Sequence, residues 1–556
     1  MLQALQTHWL TVAVCATPVV AVLLVQKYRS PRLRIEDLAH FPQPEVDKKK
    51  GHWAWIEKSA YAGVLGRSWN MVMYEQLENL GNPPVLLIDW RPMLDTPVLF
   101  IFDHTVAEQI TRATKTHSTS LPKDPIMLNL SPLVGRHSLV TLDGDEWKGL
   151  RKRILPGFQP QYLLSLVGGI LDKTEIFVET LEKMAETGEE FNMDELTTNL
   201  TFDVIGLITF NLDLNAQVPG QQSPVLQTYR ALQQSYVKRN NTLHWLLRYF
   251  TPNEWRIRSL DKKLDVVLKD TIRKQHAKLL ADQKEDARSV MALSLKGIEK
   301  LTPEILQQTS DTCRGFLFAG HDTTSILLQW MFYEISRRPA SFTALKEELD
   351  EVFGPDSSPS SVIAQMRDPN NSLSITSLKY TDAIVKETLR LHPPGTTARR
   401  TAKGSDTILT MPNGDKLNVD GIILSPVAYI IQRDRNVFGE TADDFMPERW
   451  LGPDAADIPD GSFRPYERGP RRCTGSELAN LEAKVILAVV ARHFDFVKAG
   501  LGEFSVDEKG LPILDDKGYY KTESVLYTTD QVTCKVVDGT KMKVRTKGPE
   551  EEHASI

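Results

Sequence analysis

A single cysteine stands in the stretch RPYERGPRRCTGSELA, residues 464–479, between Gly469 and Gly475 and beside Arg464, Arg468, Arg471 and Arg472. Glycine tolerates the tight, open backbone turns that a β-branched residue resists. The apolar run that follows, to about Phe494, reads as a helix, so Cys473 lies just before a set of first-turn N–H groups. Such groups favour an anion, which makes a thiolate the expected form of Cys473. A bare thiolate is an indiscriminate nucleophile, whereas one held by a metal ion and by backbone donors is an electron-rich ligand. A second reactive pair, Glu387 and Arg390 in ETLR, lies three residues apart on one helix face, where opposite charges pair.

The elements that must position these groups are mostly helical. LTPEILQQTSDTCRGFLFAGHDTTSILLQWMFYEISRRP predicts one long helix with Thr302 as N-cap, Pro303 in its first position and Pro339 beyond its end. About 36 residues at 1.5 Å each span on the order of 54 Å, the width of a domain, and an apolar helix of that length must run through the core. SLKYTDAIVKETLRLHPPG is a second helix, stopped by Pro393 and Pro394. PVLLIDW and PVLFIFD read as paired short strands, and strand character returns at DTILTMPNGDKLNVDGIILSP, where NGD signals a hairpin turn. Residues 354–374, polar and turn-rich, read as a surface loop. The fold class expected is mainly α with small β-sheets.

With 556 residues, 41% hydrophobic and 25% charged, the chain has the composition of a globular protein with a large core. The net charge of -6 gives no global basis for nucleic-acid binding. Cys15, Cys313, Cys473 and Cys534 stand far apart without CxxC spacing, which argues against a zinc site or a disulfide framework and fits a reducing compartment. Residues 9–25 carry no charge and are followed by Lys27, Arg29, Arg32 and Arg34. That is the pattern of one transmembrane signal anchor with the remainder in the cytosol, rather than a cleaved signal peptide. The boundaries expected are an anchor over residues 1–30, a linker over 31–50, a main domain over 51–535 and a flexible tail over 536–556.

The cysteine stretch resembles the heme-binding loop of the cytochrome P450 family, F-x-x-G-x-R-x-C-x-G, with Tyr466, Gly469, Arg471, Cys473 and Gly475 at the required spacing and tyrosine in place of phenylalanine. The extra hydroxyl then needs a partner. AGHDTT in the long helix resembles the family's oxygen-activation motif. The resemblance implies that Gly320 lets the helix approach a heme, Thr323 turns its hydroxyl to bound dioxygen, and Asp322 supplies protons. It also implies that Glu387 and Arg390 join Arg449 of FMPERW in a buried network. Trp147 and Arg151, matching W-x-x-x-R, would meet the heme propionates together with Arg471 and either Arg399 or its neighbour Arg400.

What the resemblance implies is the cytochrome P450 fold preceded by an N-terminal transmembrane helix. The cofactor would be heme b with Cys473 as the iron ligand, and the activity monooxygenation of a lipophilic small molecule with dioxygen. Without a flavin or nicotinamide motif, electrons would come from an NADPH-cytochrome P450 reductase on the endoplasmic reticulum membrane. Arg464, Arg468, Arg471 and Arg472 with Lys148, Lys152 and Arg153 would form a basic face for that partner. Substrate contacts would come from residues 122–139, 226–255 and 394–398. The chain is similar to fungal P450s that decorate polyketides and related secondary metabolites. Two alternatives stay open: a heme-thiolate enzyme of rearrangement, dehydration or ring closure, and a tethered heme-binding module in which His321 could be a sixth ligand.

Overall fold

The computed structural model describes residues 38–61, 66–91, 94, 96–240, 251–281, 289–368 and 374–547. The expected anchor over residues 1–30 lies outside the described residues, as do 31–37 of the expected linker. Among the described residues no helix is long and apolar enough to cross a membrane.

The long helix runs from Pro303 to Ser336 and organises the molecule. Thr302 caps it, accepting from the Ile305 N–H, with proline at the first position. From Thr309 to Ile335 every residue is buried except Ala319, Gly320 and Thr323. Helices Met193–Phe210, Pro252–Ala281, Lys379–Leu391 and Ser476–Val490 pack around this central helix. Their side chains merge into one extended apolar core.

Small sheets sit at the margins. Val85–Ile88 pairs antiparallel with Val98–Ile101, which pairs parallel with Ile423–Pro426, and Pro84 and Pro97 immediately precede the first two strands. Ile408–Thr410 and Lys416–Asn418 form the hairpin, with Gly414 at φ +89° in its turn.

Two expectations are corrected. The segment 354–374 is not all loop, because Ser358 caps a helix at Pro359–Arg367 whose Val362, Ile363 and Met366 are buried. Proline at the first position and a serine cap outweigh the polar composition. Residues 536–547 of the expected tail also belong to the fold. Lys541–Thr546 is the middle strand of a sheet, between Phe191–Asn192 and Phe494–Lys498. It buries Met542 and Val544 while Lys541, Lys543 and Arg545 face out, a period-two pattern too short to stand out in a charged sequence.

Candidate active site

The exposed stripe of the central helix faces a cavity of about 340 Å³. Ala319, Gly320 and Thr323 line it from one side, and Tyr466, Cys473 and Gly475 line it from another. The cysteine loop is built by tight contacts. A Cβ on Gly469, at φ +72°, would lie 2.1 Å from the Thr111 carbonyl oxygen, so only glycine fits. Gly475 is under no such demand, because its φ is -86° and a Cβ there would make an ordinary 3.9 Å contact with the Cys473 Sγ. The Cys473 N–H donates to the Tyr466 carbonyl at 2.9 Å. Glu467 is held at φ +57° between them, with its carboxylate on Arg464. The tyrosine hydroxyl finds its partner in Asn480, donating to Oδ1 at 2.7 Å.

Cys473 is accessible and lines the cavity. Burial pushes the thiol up, against the Gly475 N–H and the charges of Arg151, Arg472 and Lys123. Those donors and charges favour the thiolate that the helix start suggested, and burial opposes it. A coordinated cation would tip that balance, since a coordinating thiol is deprotonated outright.

One edge of the cavity carries cations. Trp147 lines it, with the Arg471 guanidinium 4.6 Å and the Arg151 guanidinium 5.2 Å from its ring centre. Arg151 Nη1 donates to the Arg472 carbonyl, and the terminal nitrogens of Arg471 are taken by Asp143 and the Leu142 carbonyl. Arg399 and Arg400 differ in their pairing. Arg400 bonds Asp124 at 2.7 Å, whereas Arg399 is completely buried, with Nε and Nη2 unpartnered among the described residues. Burial pushes Arg399 down to about 10. Beside it Lys123, which the sequence did not single out, lines the cavity and donates to the Thr397 hydroxyl at 2.6 Å. Burial first, then the charges of Arg399 and Arg471, push this ammonium well below its ordinary value.

Behind the loop, Glu387 and Arg390 are completely buried. Arg390 Nε and Nη2 each donate to the Glu387 carboxylate at 2.8 Å, and Arg449 Nε, Trp450 Nε1 and the Met446 N–H complete its shell at 2.9 Å each. Burial would raise the Glu387 carboxyl, but Arg390 and Arg449 outweigh it and the net shift is downward. Gln432 links the network to the cysteine loop, donating to the Arg390 carbonyl at 2.8 Å and accepting from the Arg464 N–H at 2.7 Å.

The family model for cytochrome P450 matches residues 87–518. The chain belongs to the cytochrome P450 family. This P450 is 28% identical over 464 residues to the cytochrome P450 monooxygenase acrF of Aspergillus aculeatus, covering 77% of the chain and 87% of that protein. It is 26% identical over 462 residues to the cytochrome P450 monooxygenase polC of Polytolypa hystricis, covering 79% of each. It is also 28% identical over 382 residues to the bifunctional cytochrome P450/NADPH--P450 reductase ascE of Acremonium egyptiacum, covering 65% of the chain and 33% of that protein. The P450 is a monooxygenase of the oxidoreductase class with heme b as its cofactor.

The residues present fit that cofactor. A sulfur faces an accessible helix stripe across the cavity, Lys123 lines its edge without an ion-pair partner among the described residues, and the buried Arg399, bridged to Lys123 through the backbone, keeps two nitrogens without a partner among the described residues. Two propionates would satisfy that need.

The acid of the central helix does not reach the cavity. Asp322 is buried, with Lys535 Nζ 2.8 Å from its Oδ1 and the Thr533 hydroxyl on Oδ2. Burial would raise its carboxyl, but Lys535 more than offsets this, aided by His321 and Thr533, and the net shift is downward. In this conformation Asp322 is thus engaged by Lys535 and Thr533 and does not line the cavity. Thr323 does border the cavity, while its hydroxyl donates back to the Ala319 carbonyl at 2.8 Å. His321 is turned away. Its ring stacks on Phe202 at 3.8 Å, Nδ1 meets the Leu317 carbonyl, and burial pushes it down to about 4. Gly320 is required by Ile205, whose side chain would lie 2.4 Å from an added Cβ.

One acid of the cavity wall was missed. Glu482 is 2% exposed, lines the cavity, and has an Oε1 without a partner among the described residues. Burial pushes its carboxyl well above the ordinary value. The expected basic face is also thinner than its sequence. Arg464 and Arg471 are buried, Arg468 lies 3.1 Å from Glu108, and Arg472 lies 3.3 Å from Glu477.

Proposed function

We propose that this P450 inserts one oxygen atom from dioxygen into a lipophilic small molecule, a fungal secondary metabolite such as a polyketide. Electrons come from NADPH through a separate reductase on the endoplasmic reticulum membrane, where an N-terminal helix over residues 1–30 anchors the chain. The observation that carries the reading is the opposition of Cys473 to the Ala319, Gly320 and Thr323 stripe across one cavity.

Heme bound there would supply dioxygen activation and oxygen transfer. Cys473 would be its protein ligand, Lys123, Arg399 and Arg151 would neutralise its carboxylates, and Trp147 would wall that edge. Phe316, Ile205, Leu139 and Val140 keep the cavity apolar and exclude water, so a lipophilic substrate gains by entering it. Thr323 holds a hydroxyl at the cavity surface, and Asp322 delivers a proton only after leaving Lys535. With His321 turned away, the tethered heme-binding reading has no sixth ligand in the AGHDTT motif.

The bifunctional relative ascE carries, by name, an NADPH--P450 reductase, which supports the electron source. The test is turnover of the full chain in detergent with NADPH, a microsomal P450 reductase and isotopically heavy dioxygen, against a panel of lipophilic polyketides. One heavy oxygen atom in a product supports the reading. Product formation without incorporated oxygen would instead favour the rearrangement, dehydration or ring-closure alternative.

A further inference from the structure

Residues 133–143 cross above the central helix, and Ser138, Leu139 and Val140 within them form part of the cavity wall. Facing them from the helix are Thr312, Gly315 and Phe316. Next to Thr312 in sequence, and one turn before Gly315, stands Asp311, a carboxylate that is 3% exposed and outside the cavity lining. Both its oxygens are committed. Oδ2 accepts from the His137 backbone N–H at 3.0 Å and pairs with His137 Nδ1 at 2.7 Å, and Oδ1 accepts from Gln307 Nε2 at 3.1 Å.

The approach is close on the loop side as well. Gly135 has φ +78°, and a Cβ there would lie 2.4 Å from the Asp311 Cβ. Only glycine lets the loop settle onto the carboxylate. Just beyond, a Cβ on Gly315 would come within 3.3 Å of the Ser138 Cβ, so the wall rests directly on the helix. The far end of the loop is pinned to the cysteine loop, where Asp143 and the Leu142 carbonyl hold Arg471. Asp143 also accepts from the Lys123 N–H at 3.0 Å. Three wall residues are thereby strung between two anchors. The anchor on Arg471 belongs to the cofactor edge, whereas the anchor on Asp311 touches neither the cysteine nor the cationic groups.

We propose that Asp311, acting through His137, is a positioning residue that sets how far the Ser138–Val140 wall stands from the central helix, and so selects lipophilic substrates by their bulk. The inference rests on the cavity being the heme and substrate site. A small ligand of the iron would not meet this wall, and a bulky one would.

The experiment uses the full ferric, heme-loaded chain in detergent and two probes, imidazole and 4-phenylimidazole, titrated by the shift of the Soret band. His137 is 52% exposed at its side chain, so His137→Ala is expected to fold, and Asp311→Asn provides a second variant that keeps an acceptor oxygen. Loss of a bond to a charged acceptor predicts that His137→Ala changes the 4-phenylimidazole Kd by about fivefold or more and the imidazole Kd by less than about twofold. Asp311→Asn should fall between, and His137→Asn, which restores a donor, should recover part of the effect. Amide hydrogen exchange over residues 133–143 should quicken in the same order in the ligand-free enzyme. Unchanged affinities for both probes, or an equal change for both, would overturn the proposal. A wild type that holds heme yet shows no shift with imidazole would strike at the heme site itself, and the proposal would fall with it.

Discussion

The Lys535 ammonium lies 2.8 Å from the Asp322 carboxylate and 3.0 Å from that of Asp194. A cation from the strand Cys534–Val536 therefore occupies the acid that the AGHDTT motif presents. The central helix, the helix Met193–Phe210 and the C-terminal segment meet at this ammonium.

Removing that cation leaves Asp322 buried without its counterion. Lys535→Met should cost roughly 3–5 kcal/mol of stability. In the wild type the net lowered Asp322 carboxyl stabilises the fold above its unfolded value and loses that contribution as pH falls through its folded value. In the variant, burial dominates and the carboxyl rises, so the deficit should grow as pH rises from 5 to 7.5. Thermal unfolding of the heme-loaded protein at both pH values checks this. An equal deficit at both, or no relief on adding Asp322→Asn, would count against the pairing.

Glu482 carries the opposite sign. Its carboxyl is raised by burial, so it stabilises the fold fully below the unfolded value and progressively less as pH rises toward the folded value. Glu482→Gln should therefore raise Tm at pH 8 relative to the wild type and change it little at pH 4.5. Infrared spectra should show a protonated-carboxyl band at neutral pH that the variant lacks. A wild type without that band would mean that Glu482 is ionised.

Arg399 separates cofactor binding from protein stability. Its unpartnered Nε and Nη2 burden the protein alone, whereas a propionate would satisfy them. A lost charge-assisted bond predicts that Arg399→Met speeds heme transfer to apomyoglobin by roughly 10- to 100-fold. The heme-free variant should be no less stable than the heme-free wild type. Unchanged heme transfer would remove Arg399 from the propionate edge.

The Glu387 network predicts a different phenotype. Arg390→Leu strips the buried carboxylate of two bonds and frees the carbonyls of Gln432, Ala442 and Asp444. Stability should fall by roughly 3–5 kcal/mol, and heme should fail to incorporate even when supplied in excess. Normal heme content with altered ligand affinity would contradict this.

Local signals carried much of the fold. A threonine followed by proline marked the start of the central helix, prolines marked the first two strands, and NGD marked the hairpin. Cys473 and the stripe at Ala319, Gly320 and Thr323 were legible because each depends on one short segment. What escaped depends on chain segments distant in sequence. Lys123 meets Arg399 through a bridge between their backbones, and Asp322 finds Lys535 more than 200 positions on. Glu482 looks like any exposed glutamate of a helix until the cavity is built around it. A helix start likewise reveals the donors that favour a Cys473 thiolate and hides the desolvation that opposes them.

The most direct measurement is the carbon monoxide difference spectrum of the reduced full chain, for wild type and Cys473→Ala. A thiolate-type red-shifted Soret band in the wild type, lost in the variant, is the expected result. A heme-loaded wild type without that band, or a variant that keeps it, would contradict Cys473 as the ligand facing the open stripe of the central helix.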